Sequence, residues 1–254
     1  MKDKSAHLGK IVRNGKVLIL AMDQGMEHGP RDFNARNISP EYVCEIASKG
    51  GFTGFALQKG VARQYKENYS GKVPLILKLN GRTEIVPKDE AYSPQVASVK
   101  QAVALGADAV GYTIYVGSPR EADMFREFGR IEEEAHDYGL PCVVWSYPRG
   151  KHVPNEKDPA MVAYAARVAL ELGADVVKIN YPGSIDAMKW VVASAGRCKV
   201  ISAGGSKQPD AEFLQKVKDI MAGGSSGLAV GRNVWQNENP MKITEEIKKI
   251  IFGK

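Results

Sequence analysis

Apolar residues in this chain come in short continuous runs, separated by longer stretches in which apolar positions recur every three or four residues. The runs fall at residues 17–23 (VLILAMD), 54–58, 74–80 (PLILKLN), 108–115, 141–147 (PCVVWSY), 175–181 (DVVKINY), 199–203 and 227–232 (GLAVGR). They are too continuous for antiparallel strands with one wet face; parallel strands covered on both faces read this way. The stretches at 39–49, 93–105, 119–138, 158–172, 184–195, 210–222 and 240–252 predict amphipathic helices, while 60–72 reads as short and weakly helical. The joins repeat as well: KGGFTGF, LGADAVGY, YGLPCVVW, LGADVVKI and AGGSSGLAV each place glycine where a helix must turn into a strand. Eight strands alternating with about eight helices predict an α/β fold, a single (β/α)8 TIM barrel, with a doubly wound open sheet as the alternative. No Ser/Gly/Pro-rich linker divides the chain, so one barrel domain is expected over 1–254, with 1–15 as an N-terminal extension.

Composition narrows the classes. At 254 residues the chain matches the roughly 250 of one such barrel. Hydrophobic residues at 44% and charged residues at 25% exclude a disordered or collagen-like chain. No run approaches the ~18 apolar residues of a membrane helix, and the first residues lack the apolar core of a secretory signal. Three widely spaced cysteines make no disulfide framework and fit a reducing compartment, so a cytoplasmic protein is expected. The net charge of +6 points to an anionic partner. Basic residues are dispersed rather than blocked together with aromatics, which favours a small phosphorylated ligand over nucleic acid or a membrane.

Chemistry enters through strand parity. Alternation puts Ile19, Ala21 and Asp23 on one face, as it does Ile76, Lys78 and Asn80; Val143, Trp145 and Tyr147; and Val176, Lys178 and Asn180. In a barrel, polar residues late in a strand with inward parity collect at the C-terminal mouth. A desolvated lysine, or one near a second cation, can be a neutral nucleophile that forms a Schiff base with a carbonyl. For Lys178 that role and a plain ion pair with an acid such as Asp23 both stay open. Lys78 and Lys59 read as structural or ligand-charge residues, and Tyr147 as either an acid/base or a core ring. The last two strands end in Ser202-Ala203-Gly204-Gly205 and Gly231-Arg232, where free N–H groups and a guanidinium suit a phosphate. His28, in the loop after the first strand, is placed to touch a ligand. There is no GxGxxG after a strand and no Walker A sequence. Four histidines, of which His7 and His136 read as tail and helix-surface residues, do not make a His-rich zinc site. Neither a metal nor a cofactor is expected.

The stretches AMDQGMEHGP (21–30), PLILKLNGR (74–82), VGYTIYVGS (110–118), VVWSYPRG (143–150), LGADVVKINY (172–181) and AVGRNVWQ (229–236) resemble the archaeal-type class I fructose-1,6-bisphosphate aldolases, a group related to bacterial dehydrin-type aldolases. The resemblance runs over nearly the whole chain. It implies a barrel assembled as a homo-oligomer, a decamer of stacked pentameric rings, that cleaves the bisphosphate without metal. It places the Schiff-base lysine at Lys178, the catalytic tyrosine at Tyr147 with Trp145 and Arg149 around it, and the strand-one aspartate at Asp23 with His28 following. Its phosphate turns fall on Gly204, Gly205, Gly231 and Arg232. This chain departs from the family pattern at Gln24, at Tyr181-Pro182-Gly183 and in the turn A-G-G-S. Two other readings remain. One is a sugar-ulosonate synthase or autoinducer-phosphate thiolase-type relative, which the segment RGKHVPNEKDP (149–159) resembles. The other is a non-enzymatic phosphate- or RNA-binding barrel, suggested by the charge.

Overall fold

The computed structural model describes residues 2–253; Met1 and Lys254, the ends of the expected domain, lie outside the described residues. Eight parallel strands, β1 (Val17–Ala21), β2 (Gly54–Gln58), β3 (Leu75–Lys78), β4 (Ala109–Val116), β5 (Cys142–Pro148), β6 (Val176–Ile179), β7 (Lys199–Ala203) and β8 (Gly227–Val230), pair in chain order. The ring closes where β8 returns to β1, with Val17 opposite Gly227 and Leu20 opposite Val230. That closure excludes the open sheet.

Alternation sorts the strand residues into two packed layers. Ile19, Ala56, Ile76, Ala109, Val143, Val176, Ile201 and Ala229 point inward and fill the barrel. Their neighbours, among them Leu20, Phe55, Leu77, Val144, Val177 and Val230, pack beneath the outer helices. Most helices fall within a residue or two of the predicted limits: Pro40–Lys49, Glu121–Asp137, Pro159–Glu171, Ile185–Ser194, Asp210–Ala222 and Pro240–Phe252. The weak connection after β2 forms two short turns, Lys59–Gln64 and Lys66–Tyr69. The helix expected from residue 93 begins instead at Val99, because Ser98 and Gln101 form a reciprocal capping box that fixes its first turn.

The N-terminal segment is built into the barrel rather than appended to it. Ser5–Ile11 is a helix, and its fully buried Ile11 joins the inward cluster. Lys10 Nζ lies 2.7 Å from Asp108 Oδ1, and Lys4 Nζ lies 2.6 Å from Asp175 Oδ1. Asp108 and Asp175 each precede a strand, so the helix closes the end of the barrel opposite the mouth. A single seven-residue helix carries too little periodicity to be seen in sequence. His136 also differs from its surface reading. It is buried, with Nδ1 2.6 Å from Glu132 Oε1 and Nε2 3.1 Å from Asp175 Oδ2. Among the described residues no helix is long and apolar enough to cross a membrane.

Barrel closure depends on one glycine. Gly227 has φ +153°, and a Cβ built there would sit 1.8 Å from the Val17 carbonyl oxygen across the β1–β8 seam. Gly227→Ala must either break that strand pairing or shift it. It is expected to cost at least about 3 kcal/mol, read as a lower urea midpoint at unchanged m-value.

Candidate active site

Elements from five strands meet at the C-terminal mouth. Asp23 lies just past β1 and Glu27 and His28 in the short helix that follows. β5 supplies Trp145 and Tyr147, with Arg149 just beyond it. β6 supplies Lys178, with Asn180 next. The turns after β7 and β8 bring Gly204, Gly205, Gly231 and Arg232. Together with Ala21, Ala203 and Ala229 these side chains and turns line one cavity. Barrel strands place their late inward residues at this end by construction.

Lys178 is the centre of the arrangement. Its side chain is 8% exposed, and its Nζ lies 5.1 Å from the centre of the Trp145 ring. Lys78, from β3, stands at the same 5.1 Å from that ring. Asp23 Oδ2 approaches Lys78 Nζ at 3.8 Å. Asp23 therefore pairs with Lys78, and among the described residues no carboxylate lies within ion-pair distance of Lys178. Burial lowers the Lys178 pKa to about 8; the nearby Lys78 and Arg232 charges push the same way, against Asp23 and Glu27. Lys78 is lowered too, chiefly by burial, with Asp23 and Glu27 opposing. A buried amine beside a second cation and without a bound carboxylate is the form that attacks carbonyls.

The indole fits beside both amines because β4 contributes no side chain against it. Gly111 pairs in register with Lys78, and a Cβ there would lie 2.8 Å from Trp145 Cζ3 and 3.2 Å from Lys78 Cδ.

Tyr147 pairs in register with Tyr115 of β4. Burial pushes its hydroxyl well above the ordinary tyrosine value, Glu27 and Asp23 add to this, and Arg149 opposes it. It therefore enters any reaction carrying its proton. Arg149 spans two carboxylates, with Nη1 3.4 Å from Glu27 Oε1 and Nη2 3.4 Å from Glu156 Oε2, and stacks 4.7 Å over the Tyr115 ring. Its Nε is buried with no partner. Burial would raise the Glu27 pKa, but Lys78, Arg149 and His28, with a hydrogen bond from the Tyr115 hydroxyl at 3.2 Å, hold it below the ordinary value. His28 Nδ1 sits 2.6 Å from Glu84 Oε1, and the same carboxylate pairs with Arg31. Arg232 Nη1 is steadied by Asp32 Oδ2 at 3.4 Å.

The structure brings eleven of the thirteen expected side chains and turns to this cavity and sets two apart. Ser202 is a correction: it is fully buried on the helix-facing side of β7, with Oγ 3.5 Å from the Ala203 carbonyl, because Ile201 and Ala203 take the inward parity. Lys78 lies behind the main cavity, in a small polar chamber with Asp23, Glu27, Gln58, Arg82 and Tyr115. Glu27 was missed in sequence. Asp23, at the N-cap of the helix Gln24–His28, and Glu27, within it, stand four residues apart, which puts both carboxylates on one side of it. Asn180 shares the Lys178 face as its parity predicts, and Nδ2 donates to the Glu156 carbonyl at 3.2 Å. Among the described residues no group of three or more His, Cys, Asp or Glu side chains is placed to hold a metal ion.

A closed (β/α)8 barrel with an unpaired buried lysine beside two glycine turns is the arrangement of a Schiff-base aldolase. The model of the DeoC/LacD family aldolases matches residues 17–237. Over 244 residues the chain is 48% identical to the fructose-bisphosphate aldolase class 1 of Thermoproteus tenax, covering 95% of this chain and 91% of that one. It is also 48% identical over 244 residues to the enzyme of the same name from Halobacterium salinarum, covering 95% of this chain and 92% of that one. A solved archaeal fructose-1,6-bisphosphate aldolase, whose catalytic lysine is covalently bound to the carbinolamine intermediate of its substrate, superposes with a TM-score of 0.93 at 45% identity, covering 99% of this chain and all of that one. The chain belongs to the DeoC/LacD aldolases, among the archaeal-type class I fructose-bisphosphate aldolases.

Proposed function

We propose that this chain cleaves fructose 1,6-bisphosphate reversibly to glycerone phosphate and glyceraldehyde 3-phosphate, with Lys178 as the Schiff-base residue. The observation that carries the assignment to Lys178 is its buried amine, free of any ion pair among the described residues, in one cavity with the turns Gly204-Gly205 and Gly231-Arg232.

The neutral amine adds to the C2 carbonyl to give a carbinolamine. Tyr147 gives its proton to the carbinolamine hydroxyl, which leaves as water, and an iminium forms with a tyrosinate beside it. The tyrosinate takes the C4 hydroxyl proton as the C3–C4 bond breaks; its electrons move into the iminium, leaving an enamine and the free aldehyde. Tyr147, protonated again, then protonates C3, and water reverses the first steps to release glycerone phosphate. Its raised pKa, with Arg149 close enough to stabilise the anion, supports a donor that can hold and return one proton. Asp23 anchors Lys78 and orients substrate hydroxyls. The N–H groups of Gly205 and Gly231, which have no protein acceptor among the described residues, hold the C1 phosphate with Arg232 and so fix the ketone against the amine. Trp145 forms the floor on which the chain of the sugar lies, with Arg149 and His28 along the outer wall.

The same reading takes residues 2–253 as one catalytic unit acting as a homo-oligomer in the cytoplasm. Tyr164 and Trp190, large rings left exposed on adjoining helices, support assembly. The free, buried Cys44, Cys142 and Cys198 fit a reducing compartment.

A coupled assay tests the substrate. Fructose 1,6-bisphosphate should yield glycerone phosphate, and release from ulosonate or autoinducer-phosphate substrates alone would overturn the choice. The titration of Lys178 gives a second expectation. Because the reactive form is neutral and its pKa lies at about 8, imine formation should rise with pH through that value and level off above it. The measurement is the pH profile of borohydride trapping with glycerone phosphate; a flat profile from pH 6 to 10 would contradict it.

A further inference from the structure

The turn after β7 is held from behind by two side chains that do not reach the cavity. Asn233 is fully buried, and its Nδ2 lies 3.3 Å from the Gly204 carbonyl, 3.4 Å from that of Gly205 and 2.9 Å from that of Ser206. Its Oδ1 accepts from the Gln208 N–H at 3.0 Å, which fixes the amide's orientation. Lys216, on the helix Asp210–Ala222, donates to the Gly204 carbonyl at 2.8 Å and to Gln208 Oε1 at 2.5 Å. Its Nζ also stands 5.3 Å over the Phe213 ring. Neither residue lines the cavity, whereas Gly204 and Gly205 do.

A trans peptide carries its C=O and the next N–H in opposite directions. Pulling the carbonyls of Gly204, Gly205 and Ser206 back toward Asn233 and Lys216 therefore turns the N–H groups of Gly205, Ser206 and Lys207 forward. The conformation needs Gly205 at φ +79°, a value side chains rarely adopt. A flexible Gly-Gly turn left alone would average its dipoles. A turn with its carbonyls clamped presents fixed donors.

We propose that Lys216 and Asn233 are positioning residues for the phosphate cradle, clamping the carbonyl side of the β7 turn so that its N–H side is preset for the ligand phosphate. The proposal rests on the assignment of that turn to phosphate. It identifies the part of the enzyme that discriminates phosphorylated from unphosphorylated ketones, although neither clamp touches substrate.

The test runs the reaction in the condensation direction with glyceraldehyde 3-phosphate as acceptor, comparing glycerone phosphate with dihydroxyacetone as donor. In Lys216→Met the preference for the phosphorylated donor, as a ratio of kcat/KM, should fall about tenfold, with the loss carried by KM. Lys216→Arg, which keeps a cation and several donors at the site, should recover most of it. A merely structural lysine would lower both donors together and leave the ratio where it was. That result, or a ratio within about twofold of the unaltered enzyme in Lys216→Met, would overturn the clamp. Arg232→Met separates this from the underlying assignment. If Arg232→Met lowers the preference and Lys216→Met does not, the clamp alone falls. If neither moves it, the cradle lies elsewhere and both readings fall. Thermal melting of each variant confirms folding. Should Lys216→Met fail to fold, Lys216→Leu takes its place, which likewise removes every donor to the turn and is read by the same ratio.

Discussion

Lys178→Met is expected to abolish borohydride-trapped adduct with glycerone phosphate and to lower kcat/KM for fructose 1,6-bisphosphate on the order of 10⁴-fold or more, as losses of a covalent nucleophile do. Methionine keeps the unbranched stem, so the inward packing of β6 and the contact with Trp145 survive. Binding of glycerone phosphate itself should weaken much less, because the β7 and β8 turns are untouched. Stability should move the other way. The lysine amine is a buried cation without an ion pair, 5.1 Å from an indole and beside a second lysine, so its charged form is penalised in the folded state. Removing it should leave the melting temperature at or above that of the unaltered protein. A variant that kept trapping adduct at another lysine would move the nucleophile elsewhere, and Lys78 would be the first place to look.

Tyr147→Phe should lower kcat roughly 10²- to 10⁴-fold, the usual contribution of a positioned acid/base, with KM little changed. The expected pattern is step-specific. The amine can still add to the ketone, but carbinolamine dehydration and C3 protonation both lose their proton carrier. Single-turnover mixing with borohydride quench should therefore show slower adduct formation, and exchange of the C3 proton of glycerone phosphate with deuterated solvent should slow by a similar factor. If exchange stayed at the unaltered rate while cleavage fell, Tyr147 would serve only the C4 hydroxyl and a second residue would protonate C3. Glu27, which lines the same cavity and is held ionised by Lys78 and Arg149, would then be the candidate, taking the C3 proton as a carboxylate in the exchange and returning it as the acid.

The barrel was legible because its strands are buried on both faces, and burial on both faces leaves unbroken apolar runs. The site was legible for the same reason: against Val176 and Ile179, a lysine at 178 stands out. What alternation yields is the side a residue faces, not its height or its distance across the ring. Parity alone therefore left Asp23 as a partner for Lys178. Only the closed barrel shows that β3 brings Lys78 to that carboxylate and leaves the β6 amine without one. Ser202 was counted with the turn that follows it. Applying the inward parity of Ile201 and Ala203 would have turned it outward. Glu27 stayed unread because the loop after β1 was not recognised as helical, and a single turn of helix leaves no periodic trace. The closing helix Ser5–Ile11 escaped for the same reason.

Gly111 bears on how such an enzyme can change. It does not line the cavity and lies 2.8 Å, through the Cβ it lacks, from the ring that two amines share. Any larger residue there would tilt the indole and displace both nitrogens in one step. Mutational drift at that position would thus alter reactivity from beneath, through a shared platform, without replacing any residue that lines the cavity.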